Sequence, residues 1–265
     1  MSLPTVRNQI PQCFESYLRI LHPASDADDR KTRWSEVARR NGRKIHPEVQ
    51  WHCLVGSPDP MQAGEHWHGV VPAFGEMSGQ ELDALCVFLQ RNTTTPDNCI
   101  LGLSTIHGWV TPLTGGESLL TLPYRQFALF SGPLKSAGEL GLSDHVGAHS
   151  PRSSVAERHS GLRVVPSARD SERHQATPET PPADNPDAPR PSPGLQYLNG
   201  IRGQAPNLMW PDDRAWCVVS EMDFDSTLVG GCRQLIEELL STSELECLSI
   251  DPGASLGEDA DHINC

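Results

Sequence analysis

Apolar positions recur with secondary-structure spacing over two parts of the chain and lose that spacing in between. Tyr17–Leu21 is a short β-prone run that stops at His22-Pro23, where the missing backbone donor favours a strand end. Thr32 can cap a short helix running through Arg40, with Trp34, Val37 and Ala38 at helical spacing and Asn41-Gly42 as the stop. Glu48–Val55 reads as a second strand, ended by Gly56, Pro58 and Pro60. Ser78 and Glu81 form a Ser-x-x-Glu capping box, behind which Leu82, Leu85, Cys86 and Leu89 define one face of a helix. Pro96 breaks that helix before the apolar run Cys99–Ile106, a buried strand, and Tyr124–Phe130 makes another, closed by Gly132-Pro133.

From Ala137 to Gln196 periodicity is lost, and nine prolines fall between Pro151 and Pro193. Such a stretch cannot bury enough apolar surface to offset the entropy of ordering its backbone, so disorder is expected. The piece beyond it is too short for a core of its own, which makes 137–196 an insertion within one domain built from 1–136 and 197–250. In the second part Ala215–Val219 reads as a strand covered on both faces, and Val229–Leu240 as a helix with Cys232, Leu235, Ile236, Leu239 and Leu240 on one stripe. Strand, loop and helix together are half of a βαβ unit. A second capping box, Ser243 with Glu246, starts a short closing helix, and 251–265 is an acidic tail. The expected class is α/β, with mixed α+β as the variant: a single sheet with flanking helices, interrupted by a long insertion.

Charge narrows the partners. Of the net −13, Lys135–Leu195 contributes only −1, because its seven basic and eight acidic side chains nearly cancel. The acidity therefore lies on the folded parts, which repel phosphate backbones. Arg39, Arg40, Arg43 and Lys44 form a short basic run without interleaved aromatics, so nucleic acid is an unfavourable partner. Met1–Gln12 lacks the features of a secretory leader and no apolar run reaches membrane-spanning length, which points to the cytoplasm with no membrane partner. Eight cysteines without a CxxC pair then read as reduced, structural thiols.

Candidate chemistry gathers at Glu221-Met222-Asp223-Phe224-Asp225-Ser226-Thr227, followed by Gly230-Gly231. On an extended strand Glu221, Asp223 and Asp225 share a face, and three hard oxygen donors suit Mg²⁺ or a similar cation, or an acid and base pair. The plainer reading makes Asp225, Ser226 and Thr227 helix caps and Gly230-Gly231 a site of close packing. Glu65-His66-Trp67-His68 offers two imidazoles on one strand face for a zinc site, with His46, His52 or His107 as a third ligand. No nucleophile elbow or phosphate-binding glycine fingerprint is present. Trp109, Trp210 and Trp216 read first as core residues and second as a recognition surface.

The run Pro206-Asn207-Leu208-Met209-Trp210-Pro211-Asp212-Asp213-Arg214-Ala215-Trp216-Cys217-Val218, continuing through Asp223-Phe224-Asp225-Ser226-Thr227 to Gly230-Gly231, resembles a family of uncharacterised actinobacterial proteins. That family pairs two tryptophans where this chain has Met209-Trp210, and often has Tyr where Leu228 stands. Further matching pieces are Tyr17–Ala24, Trp34–Trp51, Thr94-Thr95-Pro96 with Cys99, and Tyr124 with Gly132-Pro133-Leu134. The resemblance implies a shared fold and a bacterial cytoplasmic setting, and no activity.

Two functions from different classes fit these residues. The first is a non-catalytic protein that binds another protein, as immunity proteins do, through Trp210, Asp212, Arg214, Trp216, Glu221, Asp223 and Asp225, with no cofactor. The second is a metal-dependent hydrolase in which Glu221, Asp223 and Asp225, with His66 and His68, hold a divalent ion.

Overall fold

The computed structural model describes residues 5–105, 119–123, 125–139, 163–164 and 205–265. The first apolar run becomes strand β1 (Ser16–Leu21), followed by a small hairpin of β2 (Ala24–Ser25) and β3 (Lys31–Thr32). Helices α1 (Trp34–Arg40), α2 (Trp51–Val55) and α3 (Gly79–Arg91) come next, then strands β4 (Cys99–Ser104), β5 (Leu119–Leu122) and β6 (Arg125–Gly132). A 3₁₀ turn over Leu134–Glu139 precedes the short strand β7 (Arg163–Val164). The remainder is β8 (Leu208–Pro211), β9 (Cys217–Val219), β10 (Ser226–Gly231), helix α4 (Arg233–Ser241) and β11 (Cys247–Ser249).

One sheet runs β11-β1-β10-β9-β8-β4-β6-β5, with β7 also paired to β6, and every pairing in it is antiparallel. The expected single sheet with flanking helices is thus present in its mixed α+β form. Strands from both ends of the chain interleave, since β1 lies between β10 and β11 and β4 pairs with β8. Side chains alternate across the pleat and build two cores. On one face Leu18, Ile20, Leu101, Leu103, Met209, Val218 and Val229 meet Leu82, Leu85 and Leu89 of α3 and Leu235, Ile236 and Leu239 of α4. On the other, Tyr17, Phe127, Leu208, Cys217, Val219 and Leu228 pack under Val6, Ile10, Ile250 and Leu256. A third cluster holds α1 and α2 beside β1 through Trp34, Trp51 and Trp67, whose rings meet edge to face at 5.4 and 5.3 Å.

Several local expectations are revised. Glu48–Val55 is no strand: Trp51–Val55 is helix α2, ended by Gly56 at φ +68. Its five residues are all buried, His52 among them, so they carry no period that separates helix from strand. The helix expected from Val229 begins only at Arg233, because Ser226–Gly231 is a fully buried strand hydrogen-bonded between β1 and β9. The half βαβ unit is therefore an antiparallel hairpin followed by a helix. Gly230-Gly231 does serve close packing, since a Cβ on Gly230 would sit 2.6 Å from the Phe14 ring and one on Gly231 2.8 Å from Leu235. Ala137, placed at the start of the insertion, is buried in the 3₁₀ turn against the α3 core. Apart from that turn and β7, 137–196 lies outside the described residues.

Caps differ too. Ser78 hydrogen-bonds the Glu81 carboxylate rather than a backbone N–H, and Lys31 Nζ joins them 2.7 Å from Glu81. Thr32 does not cap α1. That role falls to Glu246, whose two carboxylate oxygens accept from Trp34 N and Ser35 N, both at 2.7 Å. Ser243 and Glu246 start no helix, and Cys247–Ser249 adds instead as a strand to the edge of β1. A negative charge at exposed N-terminal donors is favourable. Glu246→Ala is therefore expected to lower the unfolding free energy by about 1–2 kcal/mol, read as a reduced urea midpoint, with Glu246→Gln in between.

The acidic tail is also folded. Leu256, Ala260, Asp261 and Asn264 are buried, and Asp261 accepts from His46 Nε2 at 2.8 Å, Gln50 N at 3.1 Å and Asn264 Nδ2 at 2.8 Å. Cys53 and Cys265 are joined by a disulfide across a sequence separation of 212, so the expectation of uniformly reduced thiols fails for this pair. Cys86, Cys99, Cys217 and Cys247 fit it, because burial pushes each thiol up to about 12 and keeps it protonated.

Candidate functional site: the polar end of the sheet

Antiparallel pairing brings the end of β1, the start of β10, the end of β9, the start of β8, the end of β4 and the start of β6 to one end of the sheet. The apolar run gives way there to polar residues on both faces. On the helix-covered face His22, Thr227, Ser220 and Asn207 follow one another across β1, β10, β9 and β8. His22 Nδ1 is 2.6 Å from the Ala73 carbonyl, which can only accept, so the proton is on Nδ1 and Nε2 accepts from Thr227 Oγ1 at 2.8 Å. Thr227 has then used its proton, and Ser220 must donate across 2.6 Å. Burial holds the His22 imidazole down at about 4, neutral, as this chain requires. Asn207 accepts from Ser104 N at 2.8 Å and donates to Gly75 O at 2.9 Å and Ser220 O at 3.2 Å, which fixes its amide orientation.

The loop bearing Gly75 closes over this row. Gly75 N donates to Phe224 O at 2.9 Å, and at its φ of +71 a Cβ would lie 2.7 Å from Met222 Cα. Only glycine both takes this backbone conformation and permits the approach.

The opposite face carries charge. Arg19, 1% exposed, donates to Ser226 Oγ at 2.8 Å, Val49 O at 2.8 Å, Pro47 O at 3.1 Å and Asp225 Oδ1 at 3.3 Å, and lies over the Trp34 ring. Burial lowers the Arg19 pKa and raises that of Asp225, the pair's attraction offsetting only part of the desolvation. Glu221 Oε2 lies 2.5 Å from Arg125 Nη1 without hydrogen-bond alignment, an ion pair held by charge. Desolvation raises the Glu221 pKa, and Arg125 opposes it.

The residues expected to form a site are dispersed by this geometry. Glu221–Phe224 is a tight turn between β9 and β10, closed by Phe224 N to Glu221 O at 3.0 Å, so the three carboxylates share no strand face. Glu221 is committed to Arg125, Asp225 to Arg19, and Asp223 is exposed at the turn. His66 and His68 are exposed on a loop to either side of buried Trp67. Among the described residues the only His, Cys, Asp or Glu group with metal-ligand proximity is His52, Cys53 and Cys265, which contains none of the five residues of the hydrolase reading. His107 and Trp109 lie outside the described residues.

The proposed binding surface divides in the same way. Asp212 and Arg214 sit in the β8–β9 turn, at the opposite end of β9 from Glu221, Asp223 and Asp225. Trp216 is a core residue whose Nε1 donates to Leu89 O at 3.0 Å, and Trp210 packs half-buried on the second core. In that turn Asp213 accepts from Thr93, Thr94 and Ala215, which holds its carboxyl at about 2. Met209 and Leu228 are both buried. Compared with known protein families, curated proteins and solved structures, the chain matches none.

What sequence reading missed is the row His22, Thr227, Ser220, Asn207 and the partnership of Arg19 with Asp225. A lone buried arginine inside the apolar run Tyr17–Leu21 was the one available signal. Chemically the row is closed: Ser220 is 3% exposed, its proton is committed to Thr227, and His22 is held neutral with both nitrogens occupied.

Proposed function

We propose that the protein is a non-catalytic cytoplasmic protein that binds a basic protein partner through the acidic loops at the polar end of the sheet. The observation that supports this reading is the division of charge at that end. Its buried carboxylates, Glu221 and Asp225, face arginines of the same chain, whereas the exposed ones sit on the loops: Asp28 and Asp29 on the β2–β3 hairpin, Glu76 beside Gly75, and Asp223 beside Met222. The Asp28–Arg30 pair at 3.3 Å is solvent-exposed and weakly held, so it leaves the hairpin open to a competing cation. The net charge of −13 adds long-range attraction, which speeds encounter with a basic partner and disfavours nucleic acid. Acidic immunity proteins that mask basic toxins have this balance, a likeness of charge alone. Among the described residues no helix is long and apolar enough to cross a membrane.

The test is capture of partners from an actinobacterial lysate by the full chain and by an Asp28→Lys/Asp29→Lys/Asp223→Lys variant. The expected result is a stoichiometric basic protein that elutes as salt rises and is not retained by the variant. Retention of the same protein by the variant, or an empty capture at low salt, overturns the reading.

A further inference from the structure

We infer that His52, Cys53 and Cys265 form a zinc-binding site when the Cys53–Cys265 disulfide is reduced, so that the protein exists in a disulfide form and a metal-bound form. One ligand atom of each residue lies within 4.8 Å of the others, and His52 Nε2 is 3.5 Å from Cys53 Sγ, the only side-chain hydrogen-bond contact of that ring among the described residues. Two thiolates and one imidazole suit zinc, with Zn–S near 2.3 Å and Zn–N near 2.0 Å, and leave a fourth position for water. His52 and Cys53 are buried on α2 while Cys265 is exposed, which gives the ion a route of entry.

The ligands stay together without the S–S bond because other contacts fasten the segment that carries Cys265. Asn264 exchanges hydrogen bonds with the Lys44 backbone, its side chain accepting from N and donating to O at 2.9 Å each, and its carbonyl accepts from Arg43 at 2.5 Å. Asp261 binds His46 and Gln50 from the other direction. Reduction therefore frees two thiols that remain neighbours beside the His52 imidazole. The chemistry balances in two steps. A dithiol reductant gives two electrons and two protons to the Cys53–Cys265 bond and becomes a disulfide itself. Zinc then displaces both thiol protons to solvent as two Zn–S bonds and one Zn–N bond form.

Cobalt(II) is the probe, because thiolate coordination gives it charge-transfer absorption that zinc abolishes on displacement. The full chain is reduced with a phosphine, desalted without oxygen and titrated, alongside the oxidised chain. The expected result is one cobalt per reduced chain with thiolate absorption, displaced by zinc, and none in the oxidised chain. Cys53→Ser and Cys265→Ser lose that absorption, and His52→Ala weakens binding by at least about tenfold. Cys13→Ser/Cys232→Ser, which removes the exposed thiols far from the site in sequence, keeps it. Near-ultraviolet circular dichroism shows that each variant is folded. Absence of the thiolate band in the folded reduced chain, its persistence in Cys265→Ser, or its loss in Cys13→Ser/Cys232→Ser overturns the assignment.

Discussion

Asp225→Ala is expected to lower the unfolding free energy by about 3–5 kcal/mol, because it leaves the Arg19 guanidinium buried without its counter-charge. Arg19 is 1% exposed and its remaining hydrogen-bond partners, Ser226 Oγ and the Val49 and Pro47 carbonyls, are neutral, while the Asp261 and Glu48 carboxylates act on its charge less strongly than Asp225 does. The pKa directions agree with this: burial disfavours the charge on both members, and each is the strongest opposing influence on the other. Arg19→Met/Asp225→Leu removes both charges and should recover part of the loss. Recovery is incomplete, since the Val49 and Pro47 carbonyls also lose their donor. Urea unfolding of the three chains checks this, and a cost below about 1 kcal/mol for Asp225→Ala would mean that solvent reaches Arg19.

His22 should make the fold acid-labile in a defined window. Its folded pKa is lowered to about 4 from the ordinary 6.5, so the unfolded chain takes up the proton first as pH falls. The unfolded state then binds more protons between those values, and stability rises with pH across the window. The contribution is complete above about pH 6.5, declines as pH falls, and is gone near the folded value. At about 1.4 kcal/mol per pKa unit, it is on the order of 3 kcal/mol. The measurement is unfolding free energy at intervals from pH 7 to pH 4. His22→Gln, which keeps one donor and one acceptor, should be less stable at neutral pH and should lose the slope over this interval. A slope equal to that of the original chain would assign the acid sensitivity to other groups.

Legibility in the sequence followed how local each signal was. The α3 face of Leu82, Leu85 and Leu89 was readable because helical spacing repeats within one element, and β1, β4 and β6 because their apolar runs are bounded by Pro, Gly or polar turns. α2 failed because five consecutive buried residues have no period. β8 went unassigned because Leu208–Pro211 is short and ends in proline, which is tolerated where its neighbours on β4 and β9 leave that position without a required donor. The carboxylate site failed on one assumption, that the strand persists through Asp223, whereas the chain turns at Glu221–Phe224.

By itself the sequence determined the amphipathic helix faces, the apolar strands, the acidic balance of the folded parts and the mixed helix and sheet content, all properties of neighbouring residues. The tertiary structure alone decided the strand order, the pairing of Arg19 with Asp225 across 206 positions and the meeting of Cys53 with Cys265 across 212. The reason is physical: periodicity reports which face of an element is buried, while the partner that buries it depends on how antiparallel strands from both ends of the chain interleave in one sheet.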